Sequence, residues 1–459
     1  MNENDTIAVI GAGPVGLAAA AHLVGRSLKP MILEQADHVG AAIGQWGHVR
    51  VFSPWKYNID EAATALLDEM PWMRPNPEDL PTGTEIVRDY LAPLAAHPAI
   101  APHLILGARV TQVMREGRAD QPLTIAWRGT DNVEHSHRVR AVIDASGTWG
   151  QPNPMGVNGG AVPGETQHSD RIAYGIPDIH GASRAEYAGR RVLVVGGGHS
   201  AVNVVLDLVR LRKSTPETEI VWALRSERVD KRLGGGSADQ LPARGALGDA
   251  ARQAVDSGTV TVLAPFAAQR IAADADNLIV DGRHGTRAIS LDVDRVVVAT
   301  GFRPDFSMLE GLSIAIDPVV EAPPALASLI DPALHSCGTV PPHGARELAH
   351  PEPGFYIVGA KSYGRAPTFL MMTGYEQVRS VVAEIAGDHA AANDVRLILP
   401  ETGVCSAVPQ AAPQTSITDP PRSASGCCGG PEPVSVDACC VKDAEAKTGG
   451  ATGCGCSVA

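Results

Sequence analysis

Two stretches of this chain share one design, and that repetition limits the folds open to it. "IAVIGAGPVGLAAAAHLVG", from Ile7, is a short apolar run, a glycine-rich turn and an Ala/Leu/Val-rich segment with no breaker. "RRVLVVGGGHSAVNVVLDLVRLR", from Arg190, repeats that order. A further apolar run follows each: "PMILE" to Glu34 and "EIVWALR" to Arg225. Strand–helix–strand units of this kind build parallel sheets that bind ligands at the carboxyl ends of their strands. The predicted fold class is therefore α/β, with two Rossmann-like dinucleotide-binding domains.

The first turn is Gly11-x-Gly13-x-x-Gly16. Gly11 allows the tight turn, Gly13 lets the backbone approach a pyrophosphate, and Gly16 lets helix and strand pack closely. Pro14 suits the first helical position. The phosphates would sit on the helix N-terminus, whose free N–H groups and dipole favour negative charge. Glu34, at the end of the next strand, is placed to accept from ribose hydroxyls and to repel a 2′-phosphate. This first site is assigned to FAD. The second turn runs Gly196, Gly197, Gly198, His199, Ser200, Ala201, with alanine in the third glycine position. Its following strand ends in Arg225, with Arg228 close behind. Guanidinium groups there suit a phosphate dianion, so the second site is assigned to NADPH.

The rest of the body fits around these units. Asp60 to Pro98 is predicted to be helical and proline-punctuated, an insertion on the substrate side. "DRVVVATGFRPD" and "GFYIVGAKSYG" are predicted buried strands ending in glycine loops. Gly301 and Gly359 in those loops, with Gly147 in "DASGTWGQPNP", are assigned to cofactor binding. "TGYEQVRSVVAEIAG" makes a helix that closes the body near Gly387. The predicted division is 1–165 with 290–395 for FAD, 166–289 for NADPH, and 401–459 as a tail.

That tail departs in composition. After Pro400 no aromatic occurs and Pro, Ser, Gly, Ala and Thr dominate, which predicts a disordered segment. It holds seven of the eight cysteines; Cys337 alone lies in the body. Clustered thiols without disulfide framework or zinc-finger spacing point to soft-metal binding or redox exchange. Cys427, Cys428, Cys439, Cys440, Cys454 and Cys456 are the candidate metal or metalloid ligands. The net charge of −13 argues against nucleic acid or an anionic membrane as partner. No apolar run reaches the ~20 residues of a membrane helix, and a first strand near Ile7 leaves no length for a signal peptide. A cytoplasmic location is expected.

These motifs carry a resemblance. The chain resembles the two-dinucleotide-binding-domain flavoproteins, thioredoxin reductases included, and among them most the flavin-containing monooxygenases. GAGPVG, the strand end at Asp144 to Pro154, Gly164-x-x-x-His168 and GGGHSA stand where that family has its motifs. Val162 and the late Tyr174 depart from its pattern. "WGHVRVFSPW" and the Cys-pair tail are similar to a branch associated with arsenic resistance. The resemblance implies an NADPH-consuming enzyme that uses O2 through a C4a-hydroperoxyflavin to oxygenate a small soft nucleophile, arsenite being one candidate. It maps the family's flavin-proximal asparagine to Asn58. Trp46 and Trp55 in the same region would shield the flavin, and Arg50 would orient an oxyanion or the nicotinamide phosphate. Two alternatives stand beside it: a disulfide or metal reductase working through the C-terminal thiols, and a non-enzymatic NADPH or metalloid sensor. No CxxC follows the first glycine helix, which disfavours a body-centred disulfide mechanism.

Overall fold

The computed structural model describes residues 5–227, 236–274, 277–331, 340–366 and 369–400. Two five-stranded parallel sheets carry the fold. The first runs, in spatial order, Phe355–Ile357, Ala141–Asp144, Thr6–Ile10, Lys29–Leu33 and Leu104–Ile105. The second runs Thr261–Leu263, Glu219–Ala223, Arg191–Val195, Arg295–Val298 and Ile172–Tyr174. Every pairing within them is parallel.

Each sheet is covered differently on its two faces, and the alternation of side chains along a strand explains how. Ile7 and Val9 face a helical core with Leu17 and Leu23 of helix Pro14–Gly25 and Val378 and Val382 of helix Met371–Ile385. Ala8 and Ile10, on the other face, meet Val113, Leu123, Ile125 and Val139 of the antiparallel sheet Arg109–Arg115, Leu123–Arg128, Glu134–Val139. The second half repeats the arrangement. Val192 and Val194 pack on helix His199–Ser214, while Leu193 and Val195 pack on the antiparallel sheet Phe266–Asp274, Asn277–His284, Arg287–Val293. With both faces covered, the parallel strands are almost continuously apolar, as "IAVI" and "VLVV" are.

Two boundaries differ from the sequence expectation. Arg295–Val298 belongs to the second sheet, so the chain returns to the first half after Val298 and not at residue 290. The body also continues past Gly387: helix His389–Asn393 follows, and Leu397 and Leu399 are buried in the core of the first half. The halves are joined by two crossings that pair with each other. Asn153 N donates to Gly301 O at 2.9 Å, Arg303 N donates to Gln151 O at 2.8 Å, and Trp149 stacks on Phe302 at 4.4 Å. The tail cysteines, Cys337 and Arg228 lie outside the described residues.

Candidate active site

The first glycine turn shows which glycines serve the fold and which serve a ligand. Gly11 has φ +96°, and a Cβ there would stand 2.9 Å from Ala145 O. A Cβ on Gly16 would stand 1.9 Å from Gly11 O. Gly13 differs: beyond its own chain neighbours, no protein atom lies within 4 Å of its Cβ position. It is the N-cap of helix Pro14–Gly25 and makes no side-chain cap hydrogen bond. Open space therefore lies before a helix end whose first N–H groups need an anionic partner, a cradle that fits a pyrophosphate. Glu34 completes it. Its buried carboxylate accepts from Ala12 N at 2.7 Å and Ala36 N at 2.9 Å, which fixes it beside the turn with acceptor capacity left. Gly147 and Gly359, with φ of +71° and +70°, turn the chain past strands of the first sheet, and Gly301, at +91°, does so past strand Arg295–Val298 of the second.

The second turn repeats the division of labour. A Cβ on Gly196 would lie 2.2 Å from Ala299 O, whereas Gly198 faces open space and caps helix His199–Ser214 without a side-chain bond. Ala201 is fully buried where the first turn has Gly16. Ser200 follows His199 in the first turn of that helix. Arg225 is exposed just beyond strand Glu219–Ala223, positioned to meet a ligand from solvent.

His199 has a partner that sequence reasoning missed. Its ring lies 4.9 Å from that of Phe52, in the "VFSPW" loop of the first half. The Arg244 guanidinium lies 5.8 Å from the same Phe52 ring and is fixed by Asp239, with bonds of 2.7 and 2.8 Å. Although His199 counts among the exposed residues, crowding desolvates its imidazole and lowers its pKa, and Arg244 acts in the same direction.

The residues expected near the flavin fall into distinct environments. Asn58 is buried, and its amide donates to Ser53 O at 2.7 Å and Pro54 O at 2.9 Å while accepting from Ser53 Oγ at 3.0 Å. Both donors are committed to its own loop. Arg50 is more than half exposed, donates to Leu80 O and pairs with Glu85 at 3.6 Å. Trp55 is buried and Trp46 half-buried, both against the core of the first half, with the Trp46 ring abutting Gly83. Beside the crossings a cavity of about 450 Å³ opens, lined by Gln151, Arg303, Asp305, Phe306, Asp317 and Glu321 among others. No group of three or more His, Cys, Asp or Glu side chains is arranged to hold a metal among the described residues. None of their helices is long and apolar enough to cross a membrane.

Known proteins share this plan. The family profile described as pyridine nucleotide-disulphide oxidoreductase matches residues 8–323, which spans both turns. A ferredoxin–NADP reductase of Thermus thermophilus is 24% identical over 343 residues, 74% of this chain and 85% of its own. An indole-3-pyruvate monooxygenase of Oryza sativa subsp. japonica is 28% identical over 205 residues, 44% of each chain. A bacillithiol disulfide reductase of Bacillus cereus has the same fold, with a TM-score of 0.63 at 19% identity over 84% of this chain and 99% of its own. With two cradles of one design, an acidic partner at the first and an arginine at the second, this chain belongs to the pyridine nucleotide-disulphide oxidoreductase family and is an oxidoreductase that works with FAD and NADPH.

Proposed function

We propose that this oxidoreductase is a flavin monooxygenase that oxygenates a small soft nucleophile at the expense of NADPH. The observation that carries the reading is a missing pair. Residues 1–400 hold a single cysteine, Cys337, and no CxxC follows either glycine turn, although the family takes its description from disulphide chemistry. A thiol–disulfide exchange needs an attacking thiolate, whereas oxygenation needs none from the protein. Gly11, Gly13, Pro14, Gly16, Glu34, Gly147 and Gly359 are assigned to FAD, Gly196, Gly198, His199, Ser200, Arg225 and Arg228 to NADPH, and Gly301 to cofactor binding. When bound, FAD supplies hydride acceptance from NADPH and activation of O2. The protein's part is to hold both nucleotides and to keep the region between them dry. Asn58 braces the Ser53–Pro54 loop, Trp46 and Trp55 pack against the core of the first half, and Arg50 pairs with Glu85.

The balance is one NADPH, one proton, one O2 and one substrate giving NADP⁺, water and the oxygenated product. Amines, thioethers and trivalent arsenic each offer the lone pair required. Arsenite is the candidate that also accounts for the tail, because thiolates are soft ligands suited to As(III). On this reading Cys427, Cys428, Cys439, Cys440, Cys454 and Cys456 collect substrate. The test is NADPH and O2 consumption with a thioether, a tertiary amine or arsenite. One of them should raise both rates equally and yield product carrying one atom of labelled oxygen. Brisk anaerobic NADPH oxidation driven by a disulfide, abolished by Cys454→Ser and Cys456→Ser, would instead establish the reductase reading that the tail thiols favour.

A further inference from the structure

Asp144 and Lys361 form an ion pair that neither reading of the reaction uses. Lys361 Nζ lies 2.7 Å from Asp144 Oδ2, and their side chains are 1% and 0% exposed. Asp144 ends strand Ala141–Asp144; Lys361 lies in the turn Gly359–Tyr363 that follows strand Phe355–Ile357. Those strands are parallel neighbours, so the pair bridges their carboxyl ends. The ammonium also donates to Ser146 Oγ at 3.1 Å and lies 5.8 Å from the centroid of the Phe306 ring. Asp144 Oδ1 accepts from Ser146 N at 3.1 Å and Ser146 Oγ at 2.6 Å.

The two loops joined in this way are the ones that meet the first glycine turn. Ala145 O is the atom a Cβ on Gly11 would strike, at 2.9 Å. Gly359 faces Val15, in the first turn of helix Pro14–Gly25, with Val15 Cγ2 3.2 Å from its Cβ position. Gly147, one residue past Ser146, faces open space. The network thus runs from buried charges to exposed Ser146 at the rim of the cradle. Stability alone does not call for it. An ion pair taken out of water loses hydration that its attraction only partly returns, and an apolar pair of similar volume often holds a core as well or better.

We propose that Lys361 is a positioning residue for FAD. Through Asp144 and Ser146 it sets the Asp144–Gly147 loop against the glycine turn, so that the seat for the pyrophosphate exists before the cofactor arrives. This rests on the assignment of the first turn to FAD. Pre-organisation of this kind raises affinity by lowering the ordering that binding requires.

The test is an FAD titration of apoprotein, read by quenching of flavin fluorescence, with melting temperature and NADPH affinity measured in parallel. Lys361→Met and Asp144→Leu alone should lower both melting temperature and FAD affinity, since each strands a buried charge. The double variant removes that charge. Its melting temperature should return close to wild type while FAD binds at least tenfold more weakly and NADPH binds within twofold of wild type. Ser146→Ala, at an exposed position, should weaken FAD binding threefold or more with an unchanged melt. The proposal is overturned if the double variant or Ser146→Ala binds FAD as wild type does. It is equally overturned if FAD and NADPH affinities fall together. Wild-type FAD binding by Gly13→Ala would be a different failure, that of the turn's assignment.

Discussion

At the scale of single residues, the two kinds of glycine in each turn make opposite predictions. Gly13→Ala places a methyl in empty space, so the melting temperature should hold while flavin retention, read as absorbance near 450 nm per chain, should fall sharply. Gly16→Ala drives a methyl into Gly11 O and should unfold the first half or lower its melt steeply. If both variants lost flavin only in proportion to lost fold, the cradle would be misplaced. Arg225 makes the corresponding prediction at the second turn. A charge-assisted hydrogen bond is worth about 1.5–3 kcal/mol, so Arg225→Ala should raise the Kd for NADPH roughly tenfold and leave that for NADH nearly unchanged. Equal losses for both nucleotides would put the guanidinium elsewhere. The positions of the two glycine turns, of Glu34 and of Arg225 could be read from sequence because each stands at a fixed spacing from its strand. Lys361 and Asp144 could not: they stand 217 residues apart, and only the pairing of two strands brings them together.

At the scale of elements, the loop from Ser53 to Asn58 is held by its own asparagine. Asn58→Ala would strand the Ser53 and Pro54 carbonyls and the Ser53 hydroxyl in a buried place, at about 1–3 kcal/mol. Denaturant melts should register that loss, and Asn58→Asp should not restore it, since a carboxylate accepts and does not donate. Restoration by Asp would mean that the two bonds Asn58 donates do not hold the loop. The parallel strands and their helices were legible because both faces are buried and the apolar runs are unbroken. The two antiparallel sheets were not. Glu134–Val139 reads "EHSHRV", mostly exposed, and offers no apolar periodicity from which to predict a strand. Its pairing with Leu123–Arg128 supplies what its composition withholds. Tyr174 is similar: out of step with the family motif, it donates from its hydroxyl to buried Glu165 at 2.8 Å, a partner nine residues away that no motif announces.

At the scale of the whole molecule, the end of the folded body can be located by cutting. Truncation after Pro400 removes no described residue and should leave melting temperature and flavin content unchanged. Truncation after Asp394 also removes Leu397 and Leu399 from the core of the first half. Each buried leucine is worth about 2–5 kcal/mol by truncation to alanine, so that shorter chain should melt many degrees lower. Equal melts for the two chains would show that the last residues only lie on the surface. The contact between Phe52 and His199 has a consequence of another kind. It makes a side chain of the first half part of the surroundings of the second glycine helix, which offers a route by which filling one seat would alter the free energy of filling the other. Such linkage is reciprocal: the factor by which bound FAD changes the affinity for NADPH is the factor by which NADPH changes the affinity for FAD. Calorimetric titration of each nucleotide with the other present and absent closes that thermodynamic square. Phe52→Ala should bring its coupling factor toward one, and an undiminished factor would mean the two seats communicate by another route.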